Sequence, residues 1–107
     1  MEQKKDLKLV VTIVRVENTE NVINAFRQTG VDGWSIARGR GTSLRGYKEL
    51  FGLRIEPEKE IIFTLVSGEA AEKVMKAAAE AGGLDEPGHG LSLIIDVENA
   101  MGQLLHA

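Results

Sequence analysis

At 107 residues, 43% apolar and 27% charged, the chain has the size and balance of one small globular domain, with no bias towards disorder. It has no cysteine and only two histidines, His89 and His106, which excludes disulfides, thiolate metal sites, thiol catalysis and a zinc site built on histidine. The net charge of −3 does not suggest nucleic acid as a partner, and no apolar run approaches the roughly 20 residues of a membrane-spanning helix.

Residues 7–16 read Leu-Lys-Leu-Val-Val-Thr-Ile-Val-Arg-Val. Leu7, Leu9, Val11 and Ile13 alternate on one face, and β-branched residues dominate, so the segment is predicted as a strand. Val10, Val14 and Val16 make the other face apolar too, the pattern of a strand covered on both sides. Asn18 or Thr19 is a candidate cap for a helix carrying Val22, Ile23 and Phe26, and Gly30 supplies the stop. Trp34 to Ala37 alternate in a shorter second strand, and residues 60–66 form a third with Ile61, Phe63 and Leu65 on one face. Ser67 is the candidate cap of a second helix, with an inward stripe of Ala71, Val74, Met75 and Ala78 and a stop at Gly82-Gly83. Leu91, Leu93, Ile95 and Val97 alternate along a fourth strand. The short apolar stretch behind the charged N-terminal residues carries Lys8, Thr12 and Arg15, unlike a secretory signal, and a cytoplasmic protein without membrane insertion is expected.

The order β-α-β-β-α-β predicts an α+β, ferredoxin-like sandwich: one domain over residues 1–107, with two helices on a four-stranded antiparallel sheet. The expected core is Val11, Ile13, Phe26, Ile61, Phe63, Val74, Ile95 and Val97. Strands two and three are joined by residues 39–57, far longer than the 2–5 residues of most hairpin loops. This connection is rich in cations. Between Arg38 and Arg54 stand Arg38, Arg40, Arg45, Lys48 and Arg54 against Glu49 alone, a local charge of +4 that suits an anion or an acidic partner. Leu44, Tyr47, Leu50, Phe51 and Leu53 add an apolar component that must be covered, by the sheet or by a neighbouring subunit, and Tyr47 to Phe51 is read as one helical turn.

Two segments pair glycines two residues apart. Arg38-Gly39-Arg40-Gly41-Thr42-Ser43 leaves the second strand with backbone amides, two hydroxyls and two guanidinium groups suited to an anion; the same pattern also serves a plain loop base. Gly88-His89-Gly90 precedes the fourth strand, either as a helix-to-strand turn or as a second backbone cradle. No carboxylate pair, Ser-His-Asp order or metal cluster can be assembled, so an enzyme is not expected. A sheet that binds RNA is disfavoured because Phe63 has no stacking aromatic beside it.

Together, the element order, the long connection opened by Gly39-Arg40-Gly41 and the Gly88-His89-Gly90 turn resemble the P-II nitrogen regulatory proteins over about residues 7–98. Leu50-Phe51-Gly52-Leu53 and Glu58-Lys59-Glu60 are similar to a P-II-like branch with a shorter T-loop, the name given in that family to the connection between strands two and three. The resemblance implies a homotrimer with sheets facing the central axis and an adenine nucleotide, AMP or ADP, in clefts between subunits. It also implies a signalling role in nitrogen or carbon metabolism, exerted through residues 39–57 on a regulated transporter or enzyme. The ligand-binding residues implied are Arg38, Gly39, Arg40, Gly41, Thr42, Ser43, Gly88, His89 and Gly90. Central members carry a lysine where this chain has Leu91, and arginines beyond the fourth strand where residues 98–103 hold no basic residue. The missing cations disfavour a triphosphate. A small anion such as bicarbonate, or a structural or effector-binding trimer that binds no nucleotide, is the alternative.

Overall fold

The computed structural model describes residues 2–4, 6–31, 33–41, 48–50, 53–55 and 57–102, with the short strands at 2–4, 48–50 and 53–55 given by their backbone alone. In chain order the elements are β1 (Glu2–Lys4), β2 (Leu7–Arg15), a 3-10 turn (Val16–Asn18), α1 (Thr19–Gln28), β3 (Ser35–Arg40), β4 (Lys48–Leu50), β5 (Leu53–Ile55), β6 (Glu58–Ser67), α2 (Ala71–Ala81), β7 (Gly90–Val97) and β8 (Ala100–Gly102). The main sheet is antiparallel throughout with order β3-β6-β2-β7, and both helices lie on one side of it. This is the α+β, ferredoxin-like arrangement expected from the sequence. Two small additions flank it, a β1–β8 pair and a β4–β5 hairpin.

The core lies between the helices and the even-numbered face of the two central strands. Val10, Val14, Ile62 and Val66 project there against Val22, Phe26, Val74 and Ala78, all fully or almost fully buried. Phe26 and Val74 are buried as expected, but the sheet residues of the predicted core are on the other face. Val11 is buried there, Ile13, Ile61, Phe63 and Val97 are only partly covered, and Ile95 is 46% exposed. Polarity misled the reading of the faces. The helix side carries Thr12 and Thr64, which look like solvent positions in an alternating pattern. Both are buried, with Thr12 Oγ1 2.9 Å from Ser92 Oγ and Thr64 donating to the Gly33 carbonyl at 2.6 Å. With hydroxyls satisfied internally, these residues carry little burial penalty, and alanines 71 and 78 let α2 approach closely. The opposite face, with Leu9, Val11, Ile13, Ile61, Phe63, Leu65, Leu91, Leu93 and Ile95, is the more apolar of the two and carries no helix.

One local expectation holds in position and two are corrected. Asn18 is the N-cap of α1 but makes no capping bond; its Nδ2 donates to the Gly82 carbonyl at 3.3 Å and so joins the start of α1 to the end of α2. The N-cap of α2 is Ala70, and Ser67 Oγ instead accepts the Ala70 N–H in the preceding turn. In the predicted helical turn at 47–51, residues Lys48–Leu50 are a strand, with Leu50 opposite Leu53 in a tight hairpin; Tyr47 and Phe51 lie outside the described residues.

Candidate functional site

Strands β2 and β6 each end their helix-free face on a cation. Alternation along β2 leads from Leu9, Val11 and Ile13 to Arg15, and along β6 back from Phe63 and Ile61 to Lys59. The register places Arg15 directly opposite Lys59, with Gly39 of β3 on the other side of Lys59. A cleft of about 440 Å³ opens at this end. Ile13, Lys59 and Leu91 contribute from the strands, Gly41 from the exit of β3, and the 84–90 turn closes the far side.

Lys59 is the dominant polar feature of this cleft. The residue is only 5% exposed, and its Nζ donates to the Gly88 carbonyl at 2.6 Å. Burial, and next the neighbouring Arg15 guanidinium, push its pKa below the ordinary lysine value, while Glu17 acts in the opposite direction. Arg15 itself is shared. One terminal nitrogen lies 3.3 Å from Glu17 Oε2, and the other lies 3.1 Å from His89 Nε2. A guanidinium has no lone pair to offer, so Nε2 is the acceptor and the neutral ring carries its proton on Nδ1. That Nδ1 is buried without a hydrogen-bond partner among the described residues. The turn from 83 to 90 is thus held from below by two cations, Lys59 on Gly88 and Arg15 on His89.

The turn depends on glycine at its end. Gly88 and Gly90 have φ of +80° and +125°, both in the left-handed half of the map. A Cβ on Gly90 would lie 1.8 Å from the Ile13 carbonyl oxygen, so the strand can approach this closely only without a side chain. The first glycine pair behaves differently. Neither Gly39 nor Gly41 has positive φ, and Gly39 lies within β3 opposite Lys59 rather than in a turn. The Gly41 N–H donates to the Pro57 carbonyl at 3.4 Å, which closes the neck of the long connection two residues before Lys59.

The structure gathers part of the expected ligand set and separates the rest. Gly41, Gly88 and Gly90 line the cleft, and His89 touches Arg15 at its base. Arg38 and Arg40 are exposed on the opposite side of the sheet from Lys59, and Arg38 spans Glu58 at 3.1 Å and Glu60 at 3.4 Å. Thr42 and Ser43 lie outside the described residues. Lys59 and Arg15 are not among the ligand residues expected from the sequence, yet a signal is present. Each continues an apolar period-two face, so in an extended chain each must point the way its apolar neighbours do. Among the described residues no group of three or more His, Asp or Glu is arranged to hold a metal ion, and no helix is long and apolar enough to cross a membrane.

No family model and no curated protein matches the chain. A solved structure does: the crystal structure of Arabidopsis thaliana PII bound to citrate superposes with a TM-score of 0.67 at 20% sequence identity, over 89% of this chain and 80% of that one. The chain therefore has the fold of a P-II protein.

Proposed function

We propose that the protein is a P-II-like regulator that senses a small anionic ligand and reports it through residues 39–57. The observation that carries this reading is Lys59, a buried lysine whose Nζ lies in the cleft wall on the Gly88 carbonyl, two residues from the neck at Gly41 and Pro57. An ammonium has three N–H donors, and one is used, so an incoming anion finds a preorganised, poorly hydrated cation. Its binding acts on both ends of the Lys59 contact, the 84–90 turn and the base of the long connection, and so biases the order of that connection. The P-II structure with the same fold is bound to citrate, an anion. The exposed Leu91, Leu93 and Ile95 on the helix-free face support a homotrimer packed sheet to sheet, with the clefts at the subunit boundaries. A cytoplasmic setting, a role in nitrogen or carbon metabolism and a transporter or enzyme as target belong to the same proposal. AMP and ADP, as well as bicarbonate, are the ligands to test first.

The test is thermal unfolding of the wild type and Lys59→Met with citrate, bicarbonate, AMP, ADP and ATP, together with proteolysis within residues 42–56. A ligand at a hundred times its Kd adds about 2.7 kcal/mol of stability. The expected result is stabilisation by at least one of these anions, weakened in Lys59→Met and accompanied by altered cleavage of the connection. Stabilisation by none of them overturns the reading in favour of a trimer that binds no such ligand.

A further inference from the structure

The turn that closes the cleft is fastened to the sheet through the side chain of His89. Its own backbone ties it at two points, with Glu86 N–H on the Gly83 carbonyl at 3.1 Å and His89 N–H on the Glu86 carbonyl at 3.2 Å. The imidazole adds the tie to β2, because Nε2 accepts from Arg15 at 3.1 Å. The other ring nitrogen is enclosed. Nδ1 is buried without a partner among the described residues, and a Cβ on Gly83 would lie 3.4 Å from it. The ring therefore fills the space between Arg15 and Gly83, with its one lone pair engaged by a guanidinium.

That bond exists only while the ring is neutral. Nδ1 carries the first proton, so a second must go to Nε2, the atom that accepts from Arg15. An imidazolium in this place would meet the guanidinium donor to donor and cation to cation. The surroundings give little relief. Lys59, opposite Arg15 in the sheet and bonded to the adjacent Gly88 carbonyl, is a further cation. Glu17 lies 3.3 Å from the other terminal nitrogen of Arg15, so its charge is already engaged. Asp85 and Glu86 on the turn, and Glu80 near the end of α2, are exposed, where water and salt weaken their pull.

We propose that His89 is an acid-released latch. Neutral, it fastens the 84–90 turn to Arg15 and holds the far wall of the cleft in place; protonated on Nε2, it lets the turn go and opens the cleft. Histidine is the side chain suited to such a change, since its charge switches between pH 5 and 8 while carboxylates and guanidinium groups keep theirs. The latch goes beyond the anion reading and holds whether or not the cleft receives an anion, because it concerns the turn in the unliganded chain.

The test is amide hydrogen exchange of the full chain by NMR at pH 7.5 and 5.5, corrected for the intrinsic rates, with the amides of β6 as the internal reference. One proton taken up on opening changes the opening equilibrium by at most about tenfold per pH unit. Protection at 88–90 is expected to fall by up to this factor in the wild type while β6 keeps its protection. His89→Gln, whose side-chain carbonyl accepts from Arg15 at either pH, is expected to hold its protection at both. Arg15→Met is expected to show low protection at both. His106 is present in every variant, so its titration cancels from the comparison. Equal protection at the two pH values in the wild type overturns the latch. A fall that persists in His89→Gln or in Arg15→Met also overturns it, because other groups would then be responsible. The ring nitrogen shifts of the wild type give a reading that needs no variant: at pH 7.5 the proton is expected on Nδ1, and a proton on Nε2 overturns the latch, since that nitrogen could not then accept.

Discussion

Lys59 Nζ and the Gly88 carbonyl oxygen, 29 residues apart in sequence, meet at 2.6 Å in the wall of the cleft. This bond joins the strand that leaves the long connection to the turn that enters β7, so one side chain links the two segments a P-II-like sensor would have to couple. Removing the ammonium has two opposing effects on stability. Lys59→Met loses a charge-assisted hydrogen bond worth roughly 1.5–3 kcal/mol, and it relieves the desolvation of a buried cation. The expected net loss is about 1 kcal/mol by chemical denaturation, with faster hydrogen exchange at 88–90 as the local signature. A loss of 4 kcal/mol or more would mean that Lys59 is chiefly structural.

The lowered pKa of Lys59 also sets a pH dependence. The folded state gives up this proton more readily than the unfolded chain, whose lysine titrates near 10.5. Between the two values the unfolded state binds more protons, so this group's contribution to stability rises with pH through the alkaline range below 10.5. Below the folded pKa its cost is present in full. Denaturation midpoints of wild type and Lys59→Met are expected to move apart from pH 7 to 10.5, the wild type gaining on the variant as pH rises. Anion binding acts in the opposite sense, since a bound anion favours the ammonium. Affinity for an anion received by Lys59 Nζ, measured first with citrate, is therefore expected to fall as pH rises through the folded pKa of Lys59.

Gly90 gives the least ambiguous structural prediction. An alanine there meets the Ile13 carbonyl at 1.8 Å and must adopt a φ of +125°. Either β2 and β7 separate at this end or the turn is rebuilt. Gly90→Ala is expected to cost about 3 kcal/mol or more in denaturant unfolding and to abolish any ligand effect. Gly41→Ala, where a Cβ meets nothing within 4 Å, is the matched control and is expected to unfold within about 0.5 kcal/mol of wild type.

The alternation of Leu7 to Ile13 and of Ile61 to Leu65 made the four strands of the main sheet and their order along the chain readable, and the glycines at 30 and 82–83 marked the helix ends. The side of the sheet that the helices cover was not readable from polarity. Thr12 and Thr64 find buried partners in Ser92 and the Gly33 carbonyl, contacts between residues 80 and 31 positions apart that no local pattern reports. The site was half legible for a related reason. Gly88 and Gly90 show their role locally, through the backbone. Arg38 looked like a ligand because it adjoins Gly39 in sequence, but strand alternation puts neighbours on opposite faces, and it is Lys59, cross-strand from Gly39, that shares the cleft side.

The unhelixed face leads to the last prediction. Its apolar residues run across three strands in register, Phe63 beside Val11 beside Leu93, and Leu65 beside Leu9 beside Ile95. Leu91 and Ile95 are about half exposed, at 47% and 46%. A charge at Ile95 would cost a lone monomer little, because the side chain already meets solvent. In a sheet-to-sheet assembly the same charge would be buried in every subunit without a partner, at several kcal/mol each. Ile95→Lys is therefore expected to leave the circular dichroism spectrum unchanged and to shift the mass by light scattering from trimer to monomer. Phe26→Ala, in the core under the helices, is expected instead to cost about 3–5 kcal/mol of stability. A wild-type chain that is monomeric at micromolar concentration would show that this face is not covered by copies of itself, and Ile95→Lys would then change nothing.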